Sequence, residues 1–281
     1  IGPRARSRRI LQPEMRGYLF ITLFVLSLGS TWAQEKGFAL SLAEPLTIDG
    51  EVDDWPEEAW QWNKREPVRY AVAFDGRYLY LAWATEDTRW QNQVLMTGLT
   101  CFLEPGGKKS FSQSIQFPPG VDPSLRPKDP NQLARYLFHL QRNRPELLAT
   151  MYGVEVAGFP NVPDTTWLDD PNQVGLDLAA GMGVKGNSLV IEYRLELASV
   201  PVLGTQAADK LALTWETGYL GRPEQLRGED AAGLSNSAIG NQVPPANAEE
   251  RQWYRRLDDY RGYAASRKVK LRRIKFNWED S

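Results

Sequence analysis

Two tryptophans stand beside amides and carboxylates in segments that lack strand periodicity: Trp90 is followed by Gln91, Asn92 and Gln93, and Trp167 by Asp169 and Asp170. An indole face can cover the apolar C–H side of a pyranose while planar polar groups hydrogen-bond its hydroxyls. Trp90, Asn92, Gln93 and Trp167 are therefore the candidate ligand-binding residues. A second group is acidic. Asp49, Glu51, Asp53 and Asp54 could gather oxygens for a structural calcium ion, which takes roughly six to eight of them, and Asp49, Glu51 and Asp53 are the candidate metal ligands. Their spacing does not match an EF-hand loop, and turn or cap hydrogen bonding is the favoured role of Asp49 and Asp53. No other cofactor is expected.

Catalytic signatures are sparse. His139 is the only histidine, and neither a Gly-x-Ser-x-Gly elbow nor a glycine-rich strand-to-helix loop occurs. Paired carboxylates could perform glycoside hydrolysis, but with 35 acidic residues a chance pair is expected anywhere. A non-catalytic role is favoured.

Acidic and basic residues nearly balance, 35 against 33, for a formal net charge of −2. No global field therefore points to nucleic acid or to an anionic membrane. Cys101 is the only cysteine, so the chain cannot form an internal disulfide and must rely on packing. Cys101 falls in phase with Leu99 and Leu103 and is expected to be buried. At the amino terminus, Arg4, Arg6, Arg8, Arg9 and Arg16 precede the apolar run Tyr18 to Leu28, followed by the small-residue segment Gly29 to Ala33. That pattern predicts an upstream extension over 1–14 and a signal peptide over 15–33, starting at Met15 and cleaved after Ala33, with no stable membrane span afterwards. The expected location is the periplasm or the extracellular space.

The elements that must position these residues are strands. Leu189, Ile191, Tyr193, Leu195 and Leu197 alternate with more polar residues, and Lys185-Gly186-Asn187 provides a turn after a similar run at Val174, Leu176 and Leu178. Period two places each set on one face, so this is a hairpin. Val68, Tyr70, Val72 and Phe74 lead through Asp75-Gly76 to Leu79, Leu81 and Trp83, a second hairpin. Further strands are expected at Leu99 to Leu103, at Phe111, Ile115 and Phe117, and from Leu211 to Tyr219. Trp83 and Trp215 are in phase with the core. Phe117 to Pro130 reads as a surface loop, and Leu133 to Arg142 suits a short helix or a strand. The stretch 221–247 reads as an extended loop, Glu249 to Tyr263 as an amphipathic helix, and Arg267 to Trp278 as a basic strand bulged at Arg272-Arg273. Many short strands and few helices predict an all-β fold, an antiparallel β-sandwich of jelly-roll or immunoglobulin-like type over 34–220, with a C-terminal helix and strand extension over 221–281 packed on it.

The run Leu46-Thr47-Ile48-Asp49-Gly50-Glu51-Val52-Asp53-Asp54-Trp55-Pro56-Glu57-Glu58-Ala59-Trp60 resembles the opening motif of family 9 carbohydrate-binding modules and related DOMON-like domains. Val72 to Ala82 and Leu189 to Leu197 resemble two later signatures in the order those domains show, and the resemblance covers roughly Phe38 to Leu220. It implies a β-sandwich that binds a poly- or oligosaccharide beside polysaccharide-degrading enzymes, with a glycosidase or another envelope protein as partner. A cell-envelope scaffold domain without a sugar site is the first alternative and a glycoside hydrolase another; some domains that resemble these modules bind haem through Met and His or Lys, which here would require His139 with Met96, Met151 or Met182, and no motif places these together. Within the motif, packing is the favoured role of Trp55 and Trp60.

Overall fold

Two tight turns set the register of two antiparallel hairpins. Strand β3 (Arg69–Phe74) returns as β4 (Tyr78–Thr85), pairing Phe74 with Leu79. Asp75 closes this turn by accepting the amides of Arg77 and Tyr78 on Oδ1, and Gly76 takes φ +85°. Strands β9 (Leu178–Lys185) and β10 (Ser188–Glu196) meet at Gly186, and β10 lies antiparallel to β4 as well. The computed structural model describes residues 36–105, 113–160, 162, 164–170, 175–200, 211–221 and 248–276. The expected signal peptide, the upstream extension, Phe111, Val174, most of the 221–247 loop and Trp278 lie outside them.

The remaining strands are β1 (Lys36–Ser41), β2 (Trp60–Trp62), β5 (Leu99–Pro105), β6 (Gln113–Gln116), β7 (Val154–Ala157), β8 (Thr166–Leu168), β11 (Leu211–Thr217) and β12 (Lys268–Phe276). They form one curled sheet in the order β8-β7-β6-β5-β11-β12-β1-β3-β4-β10-β9, with β2 on β3. Strand β1 is the fold line: residues 36–39 pair with β12 and residues 40–41 with β3. The first sheet (β8 to β1) thereby turns its inner face to the second (β1 to β9, with β2). Tyr70 of β3 meets Trp215 of β11 at 6.0 Å between ring centroids, and Phe74 meets Phe276 at 5.5 Å. The Tyr193 hydroxyl donates to the Phe117 carbonyl at 2.7 Å. The expected sandwich is present with two differences. Both pairings of β1 are parallel, so the sheet is mixed. The basic final strand is also no appendage, since β12 lies between β1 and β11. Its expected bulge is present: Leu211 faces Ile274 whereas Leu213 faces Leu271.

Strands β3, β4 and β10 are buried on both faces, because the segment from Leu46 to Ala59 roofs the outer face of the second sheet. Leu46, Val52 and Trp55 rest there on Ala71, Ala73, Ala82, Ala84 and Val190, whose small size leaves room for the roof. Contact is closest at glycines. Gly50 has φ +85°, and a Cβ on it would stand 2.4 Å from the carbonyl carbon of Met182; one on Gly183 would stand 2.4 Å from the Gly50 oxygen.

Helices occupy the connections at one end of the sandwich: α1 (Thr88–Thr97), α2 (Pro130–Arg142), α3 (Arg144–Thr150) and α4 (Ala248–Gly262). Asp87 caps α1 by accepting the Trp90 amide, and Asp129 caps α2 ahead of Pro130 at the first turn. Met96, Leu133, Leu140, Tyr260 and Tyr263 form a small core between α1, α2 and α4. Among the described residues no helix is long and apolar enough to cross a membrane.

Candidate functional site

The side chains expected to bind ligand divide between two places. Trp90, Asn92 and Gln93 lie on α1, a helix where the sequence suggests a loop, and all three are buried. The Trp90 ring packs on Trp83 at 5.7 Å between centroids, and its Nε1 donates to Glu66 Oε2 at 3.0 Å. Gln93 Nε2 donates to the carbonyls of Gly218 and Ala265 at 2.9 and 2.7 Å, and its Oε1 accepts from Arg267 Nε at 3.1 Å. Asn92 reaches the Tyr263 hydroxyl. Withdrawing Trp90 would forfeit about 3 kcal/mol of burial together with a charge-assisted hydrogen bond. These three residues therefore hold α1 to the sandwich and to the final strand, and the expectation that they face a ligand is corrected.

Trp167 is different. It sits on β8, the edge strand of the first sheet, with 47% of its surface exposed. Two contacts fix its ring. Nε1 donates to Asp169 Oδ1 at 3.1 Å, and the ring lies against Gly153, where a Cβ would come within 2.5 Å of Cζ2. Gly153 has φ +80° and directly follows Tyr152, which is 69% exposed. Hence one side of the indole is seated on bare backbone while the other side is open, an arrangement that costs little side-chain entropy when a flat apolar surface is laid on it.

The register supplies polar neighbours. Trp167 is opposite Glu155, Glu155 opposite Gln116, Gln116 opposite Thr100, and Thr100 opposite Glu216. Residues directly opposite share a face, so this row crosses the outer face of the first sheet, while Leu168, Val156, Ile115 and Cys101 point into the core. Glu216 is held by Lys268 Nζ at 2.6 Å and by Ser266 Oγ at 2.8 Å. Sequence reading found Trp167 but missed Glu155, Tyr152 and Gly153. Only the glycine beside an exposed aromatic could have pointed to them, since cross-strand neighbours are invisible until the register is known.

No family model matches this chain. No curated protein matches it either. Among solved structures it is similar to a carbohydrate binding module of family 9 from Caldicellulosiruptor kristjanssonii in complex with cellotriose, at 13% identity over 65% of this chain and 76% of that chain, TM-score 0.31. A family 9 module from the same organism in complex with glucose is 10% identical over 86% of this chain and 96% of that chain, TM-score 0.34.

The acidic motif acts within the roof. Asp49 Oδ1 accepts the Glu51 amide at 2.8 Å, Asp54 Oδ2 accepts the Thr47 amide at 2.7 Å, and Asp53 pairs with Lys185. Among the described residues no three His, Cys, Asp or Glu side chains gather closely enough to hold an ion. The carboxylate that closes the roof is Glu192 on β10, fully buried: Oε1 accepts Trp55 Nε1 at 2.5 Å and Oε2 accepts the Gly50 amide at 2.7 Å. Burial pushes its carboxyl up to about 7, against the opposing pull of those two donors and with a further push from Asp54 and Asp49. Burial likewise raises the Cys101 thiol well above its ordinary range, which makes it an inert core residue.

Two hollows open on the helical end. One of about 400 Å³ is lined by Asp129, Asn131, Gln132, Arg135 and Arg256. The other, about 310 Å³, lies between Arg126, Lys128, Tyr219 and Tyr260. Neither contains any of the four expected ligand residues. His139 stands on α2 with its ring 6.0 Å from Phe138.

Proposed function

We propose that this chain is an exported, non-catalytic carbohydrate-binding domain that holds a poly- or oligosaccharide against the β7–β8 ribbon, beside an enzyme that degrades the same polymer. The observation that carries the reading is the Trp167 ring, fixed from one side by Gly153 and Asp169 and open on the other. In this reading the indole takes the C–H face of a pyranose, and Glu155, Asp169 and Tyr152 bond its hydroxyls. The likeness of the opening motif to family 9 modules supports the ligand class, and the basic and then apolar leader supports export to the periplasm or beyond.

Affinity electrophoresis of residues 34–281 through gels containing plant or microbial polysaccharides tests it. At least one polymer should retard the protein, and Trp167→Ala should weaken that retardation about tenfold while leaving the fold unchanged by circular dichroism. Migration unaffected by every polymer, or unaffected by the substitution, would remove the Trp167 site.

A second reading is favoured by α1. Since Trp90, Asn92 and Gln93 serve packing, the sandwich could act as an envelope scaffold. It predicts capture of one stoichiometric protein partner by the mature chain with no retardation by any polysaccharide.

A further inference from the structure

The β2–β3 hairpin carries an aromatic and cationic surface that the Trp167 site does not use. Trp60 pairs with Ala71 and Trp62 with Arg69. Ala71 belongs to the outer face beneath the roof, so Trp60, Trp62 and Arg69 all project outward. Trp62 is 69% exposed, and Phe38 on β1 is 44% exposed. The hairpin is tied to β1 by Gln61, whose amide accepts from the Phe38 N–H at 3.3 Å and donates to the Phe38 carbonyl at 3.0 Å. The surface is thus built on paired strands and a side-chain clamp.

Arg69 distinguishes this place. Its guanidinium lies 4.5 Å from the centroid of the Trp60 ring. Three other described arginines lie over aromatic rings, and each also has a polar partner: Arg77 and Arg194 over Tyr78 both reach Asp177, and Arg267 over Trp90 donates to Gln93. Arg69 alone among them has no carboxylate or carbonyl acceptor among the described residues. A guanidinium held flat by an aromatic ring has its N–H edges aligned and loses little freedom on pairing with a planar anion. The open indole of Trp62, directly opposite Arg69 in the register, offers the apolar platform.

We propose that this hairpin is a second, charge-selective saccharide site that takes a uronate residue, with Trp62 beneath the pyranose ring and Arg69 paired with its carboxylate. The site lies on a different sheet from Trp167 and does not depend on it. Isothermal titration of residues 34–281 with galacturonate oligomers, with neutral cello-oligosaccharides and with polyphosphate as an unspecific polyanion tests it. The expected result is binding of the galacturonate oligomers that weakens about tenfold in Arg69→Gln and in Trp62→Ala, weakens with salt, and is unchanged in Trp167→Ala. Both substitutions are at the surface, and unchanged melting temperatures would confirm that the variants are folded. Affinity unchanged in Trp62→Ala, polyphosphate bound as tightly as galacturonate, or no galacturonate binding at all would each overturn the proposal. Loss of cello-oligosaccharide binding in Trp167→Ala alone bears on the β7–β8 site and leaves this one standing.

Discussion

The roof over the second sheet and the β7–β8 ribbon of the first use the same pair of groups, an indole N–H bonded to a carboxylate, in opposite surroundings. Trp55 is 5% exposed and its partner Glu192 is fully buried, whereas Trp167 is 47% exposed and Asp169 is open to solvent. In the roof the carboxylate has given up its water, so the two donors it gains are indispensable and its own charge is costly. At the ribbon water can replace either partner, so the hydrogen bond adds little to stability and mainly fixes the direction of a ring. Identical chemistry thus seals the fold in one place and aims a surface in the other.

Substitutions can break this contrast in order of effect. Gly50→Ala should be the most damaging, on the order of 4 kcal/mol in chemical denaturation, because it combines a positive φ with a clash against the Met182 backbone; a loss below about 1 kcal/mol would show that the roof can lift without harm. Glu192→Ala should cost about 3 kcal/mol by leaving the Trp55 and Gly50 donors buried and unpaired. The same carboxyl predicts a pH dependence. Its folded value of about 7 lies above the ordinary 4.5, so its contribution is fully present below 4.5 and is lost as pH rises through about 7. Denaturation of the native chain between pH 4.5 and 7.5 should show a decline of up to about 3 kcal/mol that is missing in Glu192→Gln. An equal slope in both proteins would assign the dependence elsewhere. Gln93→Ala should cost about 2 kcal/mol, because three hydrogen bonds join α1 to the chain around β12. The smallest effect belongs to Asp169→Ala: a stability change under about 0.5 kcal/mol, with retention by a bound polysaccharide weakened about threefold as the indole gains freedom. A stability loss as large as that of Glu192→Ala would erase the contrast.

Hairpins whose inner residues alternate were legible from sequence, because Val72, Phe74, Leu79, Leu81, Ile191 and Tyr193 need only a period of two to be placed. Helix α1 was not. Residues 90–97 are all buried, and three of them carry side-chain amides: Gln91 bonds Thr85 and Asn187, while Asn92 and Gln93 bond partners more than a hundred residues away, so neither helical periodicity nor hydrophobicity marks the segment. Of the candidate ligand residues, Trp167 is exposed, as its non-periodic segment implied, while Trp90 is buried despite its amide neighbours. Trp62 and Arg69 were not singled out, because only the β2–β3 register places them side by side. The bulge in β12 was visible as a phase shift, but its place in the middle of the sheet depends on β1, which lies more than two hundred residues earlier.

That placement sets the order of assembly. Strand β12 bridges β1 and β11, so during synthesis the seam between the sandwich's two halves stays open until residue 276 has left the ribosome. Early segments can form the β3–β4 and β9–β10 hairpins, since their contacts are local, but residues 36–39 of β1 must wait for β12, a high contact order that slows the final step. A chain released after residue 267 would retain every turn that started it and lack the strand that joins them. It would expose the facing edges of β1 and β11 to other chains.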